Sequence, residues 1–230
     1  ADAERKIVFT LKRLAYVGGA LIKSHGDRVG HRKLWRRLHM EKMAGLLLPY
    51  GGDSRIRIEA FRCLAQTLSA LPEEIREGSL QESTTQYIYR SALERRQEVW
   101  IQCEALELLQ GLSLSSLEEA LKNRLTEPAG GDDLFVRHRS VMLLGNNLHR
   151  IPRLRDLFPQ VAKDPSPYVR QAMAYALGYA EPEDLRTWMP GLVLGDPDTA
   201  VRAAALLEIP KLLGRRKDLQ FLSDLLLEAM

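Results

Sequence analysis

A short phrase that returns along the chain constrains the fold more than any other feature. An aliphatic residue followed by arginine, or once by glutamine, occurs at Ile56-Arg57, Ile101-Gln102, Val136-Arg137, Val169-Arg170 and Val201-Arg202. The intervals between successive phrases are 45, 35, 33 and 32 residues, and a leucine or isoleucine follows each aliphatic residue eight positions later. Intervals of this length are typical of proteins built from repeated helix pairs, so the sequence predicts a repeat architecture.

The residues after each phrase have the periodicity of a helix. Counted from Val169, positions 0, 3, 4, 7 and 8 are apolar and fall on one side of an α-helix. The pattern predicts five such helices, near residues 54–71, 98–111, 133–148, 167–180 and 198–213, and two earlier ones near 3–23 and 31–48. Ser166 and Asp198 stand where a capping side chain opens a helix. The predicted fold class is therefore all-α.

A shorter helix is predicted before each of the last two phrase helices, over residues 153–163 and 183–194. Each contains a proline, Pro159 or Pro190, ten or eleven residues before the valine of its phrase. Because proline lacks the N–H group that an α-helix bonds, both helices are expected to bend there.

Residues 158–178 combine Pro159, an Asp164-Pro165 turn, the Val169-Arg170 phrase and an alanine-rich helix. This segment resembles a HEAT repeat of the short kind that also occurs in phycobilisome lyases, and residues 189–209 are similar. The resemblance implies a right-handed α-solenoid of about five to six helix pairs, whose second helices line a concave groove.

The resemblance also implies a domain organisation. We expect a single solenoid over residues 1–230, with divergent basic helices in 1–50 and an insertion at 72–98 in which residues 87–96 are helical. A helix predicted at 218–230 has no phrase helix after it. We therefore expect either a fragment of a longer protein or a last helix that acts as a cap.

The recurring arginines have two interpretations. The resemblance implies a polar ladder in which turn aspartates and phrase arginines join neighbouring repeats. The spacing suits the pairs Asp164 with Arg170 and Asp196 with Arg202. A phosphate-binding row of arginines is the alternative, and we favour the ladder, whose members are Arg57, Arg137, Asp164, Arg170, Asp196 and Arg202.

The side of each phrase helix that faces away from the predicted core is a candidate binding surface. Positions 2, 6 and 10 after the aliphatic residue form one stripe along a helix. Apolar and aromatic residues stand there in successive repeats, where contact with water alone would favour polar ones. The candidate partner-binding residues are Arg62, Gln66, His138, Met142, Asn146, Gln171, Tyr175, Tyr179, Leu207 and Lys211. A partner helix or extended peptide fits such a stripe, and packing against neighbouring repeats is the alternative.

A second candidate is a basic patch near the start of the chain. Residues 1–50 hold eleven Lys or Arg against four Asp or Glu. The patch consists of Arg28, Arg32, Lys33, Arg36, Arg37 and His39. Such a surface attracts an acidic protein or phosphate groups, and a merely solvated helix face is the third interpretation.

Signals for catalysis, metal ions and cofactors are few. The glycine pairs lack the preceding strand and following lysine of a phosphate-binding loop. The five histidines include neither a His-x-x-x-His pair nor the His-Glu pairs of the di-iron hydroxylases that also consist of HEAT repeats. We expect no cofactor, no metal ion and no enzymatic activity. Cys63 and Cys103 fall among apolar helix residues, which favours buried thiols in the cytoplasm, and no apolar run is long enough for a membrane helix.

Three functions remain open. The favoured one is a non-enzymatic scaffold or adaptor that binds another protein's helix or peptide, acidic or not, in the concave groove. Alkylpurine DNA glycosylases also consist of HEAT-like helices and suggest nucleic-acid binding, which the net acidic composition of residues 51–230 disfavours. The resemblance to phycobilisome lyases suggests bilin attachment, with Tyr175 and His138 as the nearest candidate residues.

Overall fold

The structure is a computed structural model that describes residues 5–10, 12, 13, 16, 44, 45, 53–69, 76, 80–126, 133–216 and 218–229. Every regular element in these residues is helical. The chain forms two compact units, residues 1–120 and 121–230. Residues 5–10 are helical, while most of the helices predicted at 3–23 and 31–48 lies outside the described residues.

In the described residues of unit 1, three helices pack together. They are α1 (Ser54–Ser69), α2 (Glu82–Leu93) and α3 (Val99–Leu112), and α3 packs against both of the others. A further helix, α4 (Leu114–Thr126), begins in unit 1 and ends in residues of unit 2. Helix α2 starts five residues earlier than the sequence predicts and ends at Leu93, because buried Thr84 and Ile88 already belong to its apolar side.

Unit 2 repeats one arrangement of helices. Its elements are α5 (Leu134–Asn147), a 3₁₀ turn (Pro152–Leu157), α6 (Phe158–Ala162), α7 (Pro167–Leu177), α8 (Pro182–Pro190), a π turn (Gly191–Gly195), α9 (Thr199–Arg215) and α10 (Phe221–Glu228). Helix α7 packs against α5 on one side and α9 on the other, and α6 and α8 also pack against α7.

The phrase helices α1, α3, α5, α7 and α9, here called the B helices, begin and end close to their predicted bounds. In unit 2 they stack in chain order, and α7 and α9 each have a shorter helix before them, as in an α-solenoid. The predicted class, an all-α solenoid, is confirmed. The core of unit 2 lies on the predicted sides of these helices, where Val136, Val169, Val201, Leu177 and Ile209 are all buried completely.

The two prolines of the shorter helices stand where the helix type changes, and the bend that the sequence predicts at each of them stays a prediction. Pro159 lies in the first turn of α6, directly after the 3₁₀ turn. Pro190 is the last residue of α8, and the π turn follows it. A proline contributes no N–H to the helical hydrogen-bond pattern, so the pattern changes at that point.

One of the two expected helix caps is present. The Asp198 carboxylate accepts hydrogen bonds from the N–H groups of Ala200 and Val201. Ser166 precedes α7, but its hydroxyl makes no capping bond, and the expectation for it was wrong. The Asp164 carboxylate accepts from the N–H of Ser166 instead, at 2.8 Å, so the aspartate of the turn organises the start of this helix.

Candidate functional site

Arginine and aspartate side chains connect successive repeats of unit 2. Arg170 donates from Nε and Nη2 to the two carboxylate oxygens of Asp196, at 2.8 and 3.0 Å. Arg137 binds Asp164 in the same forked way, at 2.8 and 3.3 Å, and also donates to the carboxylate of Asp133. These bonds hold the turn of one repeat against the B helix of the repeat before it.

The pairs differ from those that the spacing suggested. Within its own repeat, Arg170 donates from Nη1 to the main-chain oxygen of Asp164, at 2.8 Å, and Arg202 donates to that of Asp196, at 2.6 Å. Sequence spacing therefore identified the main-chain contact, while the carboxylate partner comes from the next repeat.

The charge-assisted bonds change the acidity of the turn aspartate. Hydrogen bonding from Arg170 lowers the pKa of Asp196, although burial acts in the opposite direction. The guanidinium groups of Arg137 and Arg170 are buried and bonded to carboxylates, which makes them poor ligands for a phosphate.

In unit 1, the residues at the arginine position of the phrase, Arg57 and Gln102, have other partners. Arg57 donates to the hydroxyl of Tyr87 at 3.0 Å, and its buried Nε has no hydrogen-bond partner in the described part of the chain. Gln102 replaces arginine and donates to the main-chain oxygen of Gln97 at 2.7 Å. The forked carboxylate contacts described here therefore belong to unit 2.

The predicted stripe lies on accessible sides of the B helices of unit 2. Leu207 is 68% exposed and Tyr179 is 46% exposed. Lys211 is also exposed, while the other stripe residues of this unit are half-buried, namely His138, Met142, Asn146, Gln171 and Tyr175. We call these eight residues, together with Phe135 and Tyr168, the B face.

Hydrogen bonds join three of these residues across α5 and α7. The Tyr175 hydroxyl donates to Oδ1 of Asn146 at 3.2 Å and lies 2.8 Å from the hydroxyl of Tyr179. The two rings meet edge to face, with centroids 5.3 Å apart. The hydrogen bond with Tyr179 and burial raise the pKa of Tyr175 to about 12, so this phenol is neutral at physiological pH.

A shallow cleft lies beside this tyrosine pair. Its lining residues are Tyr175, Gly178, Tyr179, Glu208, Lys211, Leu212 and Arg215. Lys211 donates to Glu208 at 2.6 Å on the rim. The volume of the cleft is about 110 Å³, which is less than the roughly 300–1,000 Å³ of typical small-molecule sites. A side chain from another molecule is a better match in size than a whole ligand.

Sequence reasoning missed an aromatic cluster at the beginning of the B face. The rings of His138 and Tyr168 are stacked at 4.1 Å, and Phe135 meets Tyr168 edge to face at 6.0 Å. Burial, and then the charge of Arg139, lower the pKa of His138. Phe135 and Tyr168 stand one position before the valine of their phrases, which is one helical turn before position 2. Extending the stripe by one turn would have found them.

The stripe residues of unit 1 have a more polar environment. Arg62 donates to Glu104 at 2.8 Å, and this hydrogen bond raises the pKa of Arg62. Gln66 is exposed on the same helix. The basic patch at Arg28, Arg32, Lys33, Arg36, Arg37 and His39 lies outside the described residues.

The described residues include no group of three His, Cys, Asp or Glu side chains arranged to hold a metal ion. Their helices are all too short or too polar to cross a membrane. Cys63 and Cys103 are buried free thiols, and burial raises the pKa of Cys63 to about 11.

Comparison with known proteins gives one match. Residues 154–229 match the family model of HEAT repeats. No curated protein and no solved structure matches the chain significantly. The matched residues contain α7 and α9 with their forked Arg170–Asp196 contact, and the same arrangement recurs one repeat earlier, between α5 and α7. This match and the stacked helix pairs identify residues 154–229 as HEAT repeats.

Proposed function

We propose that the protein is a non-enzymatic adaptor whose B face binds a helix or an extended segment of another protein. HEAT repeats commonly mediate binding between proteins. The proposal rests on one observation above others: Met142, Tyr175 and Leu207 stand at position 6 of three neighbouring B helices, the first two half-buried and the third exposed.

The exposure of these residues supports binding over internal packing. Core residues of the same helices, such as Val169 and Leu177, are completely buried, whereas Leu207 and Tyr179 keep about half or more of their surface in contact with water. Fully burying an exposed leucine side chain contributes about 1.5–3 kcal/mol, so contact with a partner is expected to stabilise Leu207 relative to contact with water. Large aromatic side chains are also the residues that most often dominate binding between proteins.

Positive charges at one end of the B face favour an acidic segment. Lys211 and Arg215 are both exposed and line the cleft beside Tyr179. Glu208 offsets one of these charges through its contact with Lys211. A segment with apolar anchors followed by Asp or Glu would match this order of side chains. Binding of acidic proteins by the basic patch stays a separate prediction.

The experiment is affinity capture followed by mass spectrometry. It uses the unchanged whole chain and a Tyr179→Asp/Leu207→Asp double variant. Both substitutions place a charge on exposed positions, so folding is expected to survive, which circular dichroism verifies. We expect the variant to lose partners that the unchanged chain captures. Leu194→Asp is the matched control, because Leu194 is 43% exposed but belongs to the π turn and not to a B helix. Identical sets of partners for the unchanged chain and the double variant would refute the proposal.

Two further measurements test the other functions. Duplex DNA is added in a gel-shift assay at low and high salt, and a bilin is added while its absorbance is recorded. A salt-sensitive shift would support nucleic-acid binding, and an altered bilin spectrum would support the likeness to phycobilisome lyases, which stays a prediction. Both results are expected to be negative. A reducing compartment such as the cytoplasm suits the two buried thiols.

A further inference from the structure

The shallow cleft at one end of the B face carries charges of both signs. Glu208, Lys211 and Arg215 line it, and all three belong to the final turns of α9. Lys211 donates to Oε1 of Glu208 at 2.6 Å. Glu208 is half-buried, and its other carboxylate oxygen, Oε2, accepts no hydrogen bond from the described residues. The cleft therefore offers an acceptor at Oε2.

Arg215 offers donors to the same cleft. Its side chain is exposed, and no group among the described residues accepts a hydrogen bond from it. A guanidinium group carries several N–H donors, and an ammonium group such as that of Lys211 has more than the one bonded to Glu208. A ligand that enters the cleft therefore meets donors and an acceptor together.

Charged side chains match only one part of this arrangement. A carboxylate accepts hydrogen bonds without donating any, so it would bind Arg215 but bring its negative charge against Glu208. A lysine or arginine side chain only donates, so it would bind Glu208 but be repelled by Arg215 and Lys211. A primary amide, the side-chain group of Asn and Gln, has no net charge and contains both an NH₂ donor and a C=O acceptor. It matches the whole arrangement.

The main chain of a partner does not present the same pair of groups. A peptide bond is almost always trans, so its N–H and C=O point in opposite directions. One peptide unit therefore cannot bond to Glu208 and to Arg215 within a single small cleft. In a primary amide, one N–H lies on the same side as the C=O, so both bonds can form at the end of one side chain. A hydroxyl group would have to form both bonds through a single oxygen atom.

We propose that this cleft binds the side-chain amide of an asparagine or glutamine in the partner's segment, which donates to Oε2 of Glu208 and accepts from Arg215. The inference rests on the function proposed for the B face and names the residue that enters the cleft. Leu207 lies one helical turn, about 6 Å, before Lys211. The amide residue is therefore separated from the residue that covers Leu207 by about two positions in an extended segment, or about four in a helix.

Peptide selection identifies the residue that enters the cleft. A phage-displayed library of random peptides is selected against the whole chain, and peptides that fail to bind a folded Leu207→Asp variant are kept as ligands of the B face. We expect most of them to share an Asn or Gln at one position. A hydroxyl or charged residue at that position, or no preferred residue, would overturn the inference and leave the proposed function intact. If no peptide depends on Leu207, the proposed function and this inference both fail.

A substitution in the cleft tests the hydrogen bonds themselves. A selected peptide is compared with the same peptide in which the shared Asn or Gln is changed to Asp or Glu, and titration calorimetry measures both affinities. On the unchanged chain, we expect the acidic peptide to bind at least about tenfold more weakly, because its carboxylate meets that of Glu208. Glu208→Gln is expected to reverse this order, since the repulsion is lost and an amide at this position can donate to a carboxylate.

Glu183→Gln is the matched control. It removes the same charge from an exposed residue of α8, outside the B helices, and should leave the preference for the amide peptide unchanged. Equal affinity of the two peptides for the unchanged chain would overturn the inference. The same result follows if Glu208→Gln retains the full preference for the amide peptide, because the carboxylate of Glu208 would then take no part in recognition.

Discussion

At the scale of single residues, the buried pair of Arg170 and Asp196 makes the strongest contribution that we can assign. Both residues are at least nine-tenths buried and share two hydrogen bonds. Arg170→Ala is expected to lower the free energy of unfolding by about 3–5 kcal/mol, because Asp196 would stay buried without its partner. Arg202→Ala is the control and should cost only about 1 kcal/mol, since it loses one main-chain bond. Urea denaturation measures both, and equal losses would contradict this account.

The same pair predicts how stability depends on pH. The pKa of Asp196 is lower in the folded chain than in the unfolded chain, where it is about 3.9. Its contribution is therefore complete above the unfolded pKa and is lost as the pH falls through the folded pKa. From about pH 5 to pH 3, we expect Asp196→Asn to lose less stability than the unchanged chain does. Urea denaturation at several pH values checks this, and parallel curves would contradict it.

These residues also show what local spacing can predict. The sequence identifies the ladder residues of unit 2 apart from Asp133, because arginine and aspartate recur with the repeat. It pairs Arg170 with Asp164 and Arg202 with Asp196, whereas the carboxylates that bind Arg137 and Arg170 in a fork are 27 and 26 residues farther along the chain. The way in which neighbouring repeats pack decides the pairing, and the spacing of residues within one repeat gives no information about that packing.

At the scale of elements, the contact between α5 and α7 depends on a glycine. A Cβ at Gly145 would meet both Cα and Cβ of Ala176, at 2.6 and 3.0 Å, so Gly145→Ala must push the helices apart. We expect a loss of about 1–3 kcal/mol in thermal or urea unfolding. At Gly214 in α9, a Cβ would meet nothing within 4 Å. Gly214→Ala is therefore expected to stabilise by up to about 1 kcal/mol through helix propensity. Changes in stability of the same sign for Gly145→Ala and Gly214→Ala would contradict a decisive role for the close contact between α5 and α7.

Helix boundaries were predicted best where an apolar period and a turn signal coincide. The B helices meet both conditions. The shorter helices before them do not, because a proline can bend a helix, end it or change its type. Periodicity does not distinguish these outcomes at Pro159 and Pro190. The aromatic cluster around Tyr168 was missed for a related reason: the helix was counted from the valine, although its accessible side begins one residue earlier.

At the scale of the whole molecule, a repeat protein gains its stability from contacts between neighbours. Met173 lies in α7, between α5 and α9, whereas Leu222 lies in α10, the last described helix, and both are completely buried. We expect Met173→Ala to lower hydrogen-exchange protection throughout α5–α9. Leu222→Ala should lower it mainly in α10. Uniform loss of protection in unit 2 from both changes would indicate that the unit unfolds only as a whole.

The architecture was predictable from the sequence, and the partner was not. A repeat of about 32 residues, helical apolar periods and a recurring turn aspartate are sufficient for an all-α solenoid. All of the B face except Phe135 and Tyr168 was found, because apolar and aromatic residues stand at positions where contact with water alone would favour polar ones. What binds there depends on another molecule's sequence, and neither Tyr179 nor Leu207 specifies which one.

The direction of the hydrogen bond between Tyr175 and Tyr179 follows from the number of hydroxyl protons that are available. Tyr175 has one hydroxyl proton, and its bond to Oδ1 of Asn146 uses it. The bond between the phenols must therefore take its proton from Tyr179. The hydroxyl oxygen of Tyr179, the most accessible of the three groups, then has free lone pairs but no proton to donate. A partner that binds over Tyr179 can therefore hydrogen-bond to this oxygen only by donating an N–H or O–H of its own.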